Sequence, residues 1–202
     1  MSGISNYDEL KSSVIDWIDS SELNERVEDF ISLAEARHKR EVRIRAMLKR
    51  CSVGVVQRYV DLPSDYLDGK TFRLLTTPRV ELEEVSMKVL NSYWREGPGQ
   101  PKFFTVHAEI ELDVEPETSY AAEMIYYRAV TPLSDTVATN SLLKLAPDVY
   151  LYGALAAAAP FLQDDERVQL WEGLYTSARN ATNRMEQKTF GTPIARVPGV
   201  RP

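Results

Sequence analysis

The segment Glu109-Ile110-Glu111-Leu112-Asp113-Val114-Glu115 is the first place in the chain where residue types and spacing could do chemistry. Acidic and apolar residues alternate strictly, so a strand there sets four carboxylates on one face and three apolar side chains on the other. Four carboxylates could hold a divalent cation or form a nuclease-like cluster. On one strand, however, they stand about 6.6 Å apart and point in parallel, which does not converge on one ion. The expectation is a solvated acidic face. Gly69-Lys70-Thr71 has the ending of a phosphate-binding loop. That loop also needs a glycine five residues before Gly69; the chain has Ser64 there, between Pro63 and Asp65, and the segment reads as a turn. The two histidines, His38 and His107, lie in different segments without a metal-ligand neighbour at helical or hairpin spacing, and no Gly-x-Ser-x-Gly elbow occurs. Cys51 follows Lys49 and Arg50, two cations that could lower its pKa. At a helix end after an apolar stripe it reads instead as a small packing residue. The expectation is therefore no catalytic residue, no cofactor site and no metal site.

Charge is distributed unevenly. The run from Arg37 to Arg50 carries Arg37, Lys39, Arg40, Arg43, Arg45, Lys49 and Arg50 against Glu41 alone. Residues 79–123 carry ten acids against Arg79, Lys88, Arg95 and Lys102. One reading of the basic run is helix-dipole complementation on a solvated face. A sharper one pairs the two patches between copies, since head-to-tail contacts close into rings; the acidic strand then becomes an acidic belt. An alternative is a DNA-binding regulator that uses the basic helix 37–50. Against it, the helix is long for a recognition helix, no aromatics interleave with the charges, and the chain's net charge is −6. Salt-dependent DNA binding would favour the regulator; metal-dependent turnover would favour an enzyme built on the acidic strand.

These residues need elements to position them. The chain has 202 residues, 44% hydrophobic and 27% charged, an ordinary globular balance that excludes a mostly disordered chain, and its single cysteine suits a reducing compartment. Tyr7, Leu10, Val14, Trp17 and Ile18 share one helical face over residues 5–19, with Asn6 and Glu9 at capping-box spacing. Residues 22–50 read as one long helix. Strands are expected at 55–60, 71–76, 80–84, 103–106, 109–114 and 119–127, with a turn at Asp68-Gly69, a short helix from Ser86 to Trp94, and a loop over 97–101. The 109–114 and 119–127 strands are expected to pair as a hairpin around Glu115-Pro116-Glu117. Residues 131–141 read as a polar linker. Helical periodicity returns at Asn140; the helix 147–162, rich in small residues (Gly153, Ala154 and Ala156 to Ala159), admits a close neighbour, and Pro160 should kink or end it. A last helix carries Val168, Trp171, Tyr175, Ala178 and Met185 on one stripe. Residues 189–202 hold three Pro, two Gly and two Arg with no acid, which reads as an extended C-terminal arm. The fold class is α+β: a helical bundle (1–52 plus 140–188) interrupted by a β-rich insertion (53–135). The uncharged stretch Val149 to Gln163, 15 residues, is shorter than a membrane span and reads as a buried helix. Acids near the N-terminus do not suit a signal peptide.

Several phrases also resemble a known family, in the same order along the chain. They are YDELKSSVIDWIDSSELNERVEDFISLAEARHKREVRIRAM, YVDLPSDYLDGKTFRL, GQPKFFTVHAEIELDVEP, IYYRAVTPLSD and TNSLLKLAPDVYLYGALAAAAPFLQDDERVQLW. Over residues 6–185 the chain resembles the head-to-tail adaptor (connector) proteins of tailed bacteriophages. The resemblance implies a non-enzymatic structural protein of the virion, made in the host cytoplasm and not attached to a membrane. It implies a ring, typically twelve-fold, of neighbouring copies beneath the portal protein, which extends the DNA channel and docks a tail or nozzle protein. Genomic DNA would pass through without sequence-specific binding. Under this reading Arg37, Arg40, Arg43 and Arg45, with Phe190, Ile194, Arg196 and Val197 of the arm, are candidate portal or subunit contacts. Glu109, Glu111, Asp113 and Glu115 are candidate channel-facing residues.

Overall fold

The computed structural model describes residues 3–93, 96–162 and 165–188. The fold is α+β, with two compact units: residues up to Ala46 together with those from Val130 onward, and Met47–Ala129.

The first unit is helical. Helix α1 (Tyr7–Ile18) starts on Asn6, whose side-chain oxygen accepts from the Glu9 N–H at 2.9 Å. The reciprocal arm of the expected capping box lands one residue earlier: the Glu9 carboxylate accepts from the Ser5 N–H and hydroxyl, both at 2.7 Å. Asp19, in the left-handed region at φ 50°, ends the helix by donating its N–H to the Ile15 carbonyl. Tyr7, Leu10, Val14 and Ile18 are buried, whereas Trp17 is half exposed and lies edge-on to Tyr152 with ring centroids 6.2 Å apart.

The long helix expected over 22–50 is not formed. A 3-10 segment (Ser21–Arg26) leads into helix α2 (Val27–Glu41), and the chain leaves the helix at Val42 with extended geometry. The reason comes from the far end of the sequence. The Asn183 side-chain amide donates to the Glu41 carbonyl at 2.9 Å and accepts from the Arg43 N–H at 3.0 Å. It thus takes the backbone groups that a further helical turn would use, while Val42 and Ile44 are buried.

Helix α3 (Met87–Ser92) belongs to the second unit. Helices α4 (Ser141–Leu145), α5 (Pro147–Ala158) and α6 (Asp165–Lys188) complete the first. Asn140 caps α4 by accepting from the Leu143 N–H at 2.9 Å, and its amide nitrogen donates to the Thr131 carbonyl at 2.9 Å and the Tyr150 hydroxyl at 2.7 Å. Tyr150 in turn donates to Glu35 at 3.1 Å, and the same Glu35 oxygen accepts from the Leu133 N–H at 2.8 Å. The supposed polar linker is therefore fastened to the bundle. Helix α5 is the centre of the unit, packing on α1, α2 and α6. Gly153 allows this: a Cβ there would meet His38 Nε2 at 2.9 Å, the Ala34 Cβ at 3.2 Å and the Tyr175 ring at 3.3 Å. Pro160 falls in a 3-10 turn directly after α5, where the missing N–H removes no helical bond.

The second unit is a sheet. Its strands are β1 (Leu48–Val55), β2 (Tyr59–Val60), β3 (Tyr66–Leu74), β4 (Val80–Glu84), β5 (Pro98–Gly99), β6 (Phe103–Val106), β7 (Ile110–Leu112), β8 (Glu115–Pro116) and β9 (Tyr120–Arg128). Seven of them run in the order β1-β9-β3-β4-β6-β7-β2, and β5, within the expected 97–101 loop, pairs in parallel with β8, within the expected turn at Glu115-Pro116-Glu117. Asp68-Gly69 is not a turn but lies inside β3, between two register shifts against β9. The expected hairpin of 109–114 with 119–127 is also absent. β7 turns back on β6 through His107-Ala108-Glu109, and β9 is a central strand between β1 and β3. Proline at 116 bars a tight ladder across the expected turn, and the long β9 finds two partners elsewhere. Val55, Phe72, Leu74, Leu82, Phe104, Ile110, Leu112, Ala122, Met124 and Tyr126 form this unit's core.

Candidate assembly surfaces

The basic run splits across the two units. Arg37 on α2 is turned inward along its own unit: its guanidinium makes a two-pronged ion pair with Glu172 on α6 at 2.6 and 2.7 Å. It also donates to Glu41 at 3.1 Å and lies 4.0 Å from the Tyr175 ring centroid. Arg179 pairs with Glu41 as well. Burial pushes the Glu41 carboxyl up, but the Arg179 and Arg37 guanidiniums outweigh it and hold the carboxyl below its ordinary range. Glu172 is held down chiefly by Arg37. Arg37 thus fastens α2 to α6. Arg43 donates to the Lys39 and Val42 carbonyls at 3.0 and 2.8 Å, closing the end of α2. Arg40 and Arg45 are exposed.

Lys49 and Arg50 are not on a helix; they stand on β1, where Lys49 pairs with Asp65 at 2.7 Å and Arg50 with Glu123 at 3.4 Å. Cys51, on the same strand, packs against the sheet core, and burial pushes its thiol up. The packing reading of Cys51 fits that placement, and the activated-thiol reading does not.

The solvated four-carboxylate face is corrected. Glu109 and Glu115 are exposed, but Glu111 and Asp113 are 8% and 1% exposed. The residue types alternate as a two-sided strand does, yet both faces of β7 are covered. Arg58, itself buried, donates to one Glu111 oxygen at 2.8 and 3.2 Å, and His107 Nε2 lies 3.5 Å from the other. Asp113 accepts from the Lys102 and Phe103 N–H groups at 2.9 and 3.2 Å. These two acids hold the Arg58 segment and the start of β6 in place, and neither is presented to solvent. Glu115 also accepts from the Arg58 N–H at 3.2 Å. Among the described residues no group of three or more His, Cys, Asp or Glu could hold a metal ion, and no helix is long and apolar enough to cross a membrane. Phe190, Ile194, Arg196 and Val197 lie outside the described residues.

Sequence reasoning missed Asn183, Glu35 and the buried Arg58. None carries a local signal, because each acts on backbone or charge far away in sequence. The strict alternation at 109–115 was visible, but only the position of Arg58 reveals which carboxylates it serves.

An α+β scaffold with exposed charges and exposed apolar side chains such as Leu33, Leu170 and Tyr93 is suited to contact with other macromolecules. Family comparison places it among structural adaptors of bacteriophages. The chain belongs to the SU10 adaptor protein family, whose model matches residues 5–197. Comparison with curated proteins gives no match.

Proposed function

We propose that this adaptor works as a closed ring of identical copies beneath the portal, extending the DNA channel and docking a tail or nozzle protein. The family match, which spans nearly the whole chain, is the observation that carries the reading. The role is non-enzymatic, and the protein resides in the virion after synthesis in the host cytoplasm. Arg40 and Arg45 are the exposed members of the basic candidate contacts, and Phe190, Ile194, Arg196 and Val197 of the arm complete the set of candidates. Glu109 and Glu115 remain as candidates to face the channel, where like charge keeps DNA from adhering. Exposed ion pairs contribute only about 0–1 kcal/mol each, so the free protein is monomeric or weakly associated and many contacts on a template are needed to close a ring.

Co-sedimentation with the cognate portal tests this. The full chain should travel with the portal, whereas a chain truncated after Gln187 should keep its Tm and lose most of that attachment. Normal docking by the truncated chain would remove the arm from the contact. No docking by the full chain would refute the adaptor reading itself.

A further inference from the structure

The pairing of β3 with β4 runs only from Leu74–Val80 to Phe72–Leu82. Beyond Leu82, β4 turns to β6, placing Glu83 against Phe103 and Glu84 against Phe104 in parallel, while β3 stays on β9 back to Tyr66. The strands diverge and leave a cavity of about 310 Å3 inside the second unit. Its floor is apolar, from Phe72, Leu82, Phe104 and Met124, and the exposed Glu81, Glu83 and Glu84 stand around it.

Two observations say that the cavity is suited to an extended peptide. On β4, the Glu83 and Val85 N–H groups bond the Lys102 and Phe104 carbonyls at 2.9 and 2.8 Å. Strand alternation turns the Glu84 N–H and carbonyl to the other side, toward the cavity, where no β3 residue pairs with them. In the wall, the Thr71 hydroxyl oxygen is buried without a hydrogen-bond partner. A buried hydroxyl and an unpartnered strand edge are both satisfied by an added backbone.

The chain itself contains a peptide of matching chemistry. Within residues 191–202, Ile194-Ala195-Arg196-Val197 is the one four-residue run free of Pro and Gly, and it stands between Pro193 and Pro198. A residue before proline favours extended backbone. Ile194 and Arg196 alternate with Ala195 and Val197, so a strand presents one apolar face and one bearing a cation. No acid follows Glu186, and Arg196 and Arg201 complement the three carboxylates. We propose that Ile194–Val197 of one copy adds as a short strand in the β3–β4 cleft of the neighbouring copy, with Arg196 among Glu81, Glu83 and Glu84. This rests on the ring reading given above, and makes each arm a clasp between adjacent copies.

Disulfide trapping on the assembly tests it. Full-length chains with Cys51→Ser carry either Lys70→Cys, in the cleft wall, or Arg196→Cys, in the arm; the two are mixed with the cognate portal and oxidised. The same sample is sedimented, so assembly and trapping are read separately. The expected result is assembly with a covalent dimer at least tenfold above the yield of Arg196→Cys with Asp16→Cys, a position on α1. In the background Glu81→Gln, Glu83→Gln, Glu84→Gln the yield should fall severalfold. Assembly without a dimer above that control overturns the clasp and leaves the ring reading standing; absence of both overturns the two together. If a single chain carrying both Lys70→Cys and Arg196→Cys closes on itself at high dilution without portal, the neighbouring copy is the wrong host and the proposal falls.

Discussion

His38 should make the helical unit acid-sensitive in a defined window. The side chain is 4% exposed, stacked on Tyr175 at 5.8 Å and met edge-on by Tyr150 at 4.8 Å, with the Gly153 backbone closing the third side. Burial drops its pKa to about 4 from the ordinary 6.5; Arg37 adds to the drop, and Glu41 and the Val149 backbone oppose it. The folded chain therefore keeps the ring neutral while the unfolded chain protonates it. The stabilisation is complete above pH 6.5 and is lost as pH falls toward 4. Linkage gives a loss of about 2 kcal/mol by pH 5 and about 3 kcal/mol by pH 4, relative to neutral pH. Urea unfolding followed by helical circular dichroism, from pH 7.5 to 4.5, measures it. Glu41 and Glu35 titrate nearby, so the comparison is with His38→Leu, in which the carboxylate contributions persist and the imidazole's is gone. The wild type should lose about 2 kcal/mol more than the variant between pH 7 and pH 5. Parallel curves for the two proteins would refute the reasoning, as would an NMR titration of His38 with a midpoint near 6.5.

Four further substitutions probe the packing and the buried charge. Gly153→Ala gains about 1 kcal/mol in helix propensity, yet forces a Cβ within 2.9 Å of His38 Nε2, so overpacking of about 1–3 kcal/mol wins and Tm falls. Glu111→Gln removes the carboxylate charge that pairs with the buried Arg58 and should cost about 3 kcal/mol by denaturant titration, whereas Glu109→Gln, at an exposed position, should cost less than about 0.5 kcal/mol. Asn183→Ala removes both bonds at the end of α2 and should cost about 1–3 kcal/mol, with amide exchange at Arg43 accelerating.

What was legible in the sequence was local. The first helix and its Asn6 cap, the close-packing role of Gly153 and the ending at Pro160 follow from spacing and from residue chemistry that acts within one turn. Strand locations at 80–84, 103–106 and 120–127 were legible from β-branched and aromatic runs. What failed was partner choice. A helix through 22–50 fits the local periodicity and charge polarity, but the Asn183 amide, some 140 residues away, takes the backbone groups beyond Glu41, and Val42 and Ile44 are buried there. Asp68-Gly69 is a turn dipeptide that two flanking register shifts absorb into a strand. The acidic segment had the period of an amphipathic strand, but Arg58 and the Lys102–Phe103 amides consume half of its charge. Of the candidate contact residues, the sequence could supply charge and not burial: Arg37 is half-buried and paired with Glu172 inside its own unit, whereas Arg40 and Arg45 are exposed.

The central claim is a closed ring on the portal, and native mass measurement of the complex tests it most directly. Adding this 22.9 kDa chain in excess to purified cognate portal rings should produce one discrete species. Its mass should exceed the portal's by a fixed whole number of chains, twelve on the family expectation, with no ladder of partial occupancies at saturation. A continuous ladder of independently bound copies, or a portal whose mass does not change, would contradict the account.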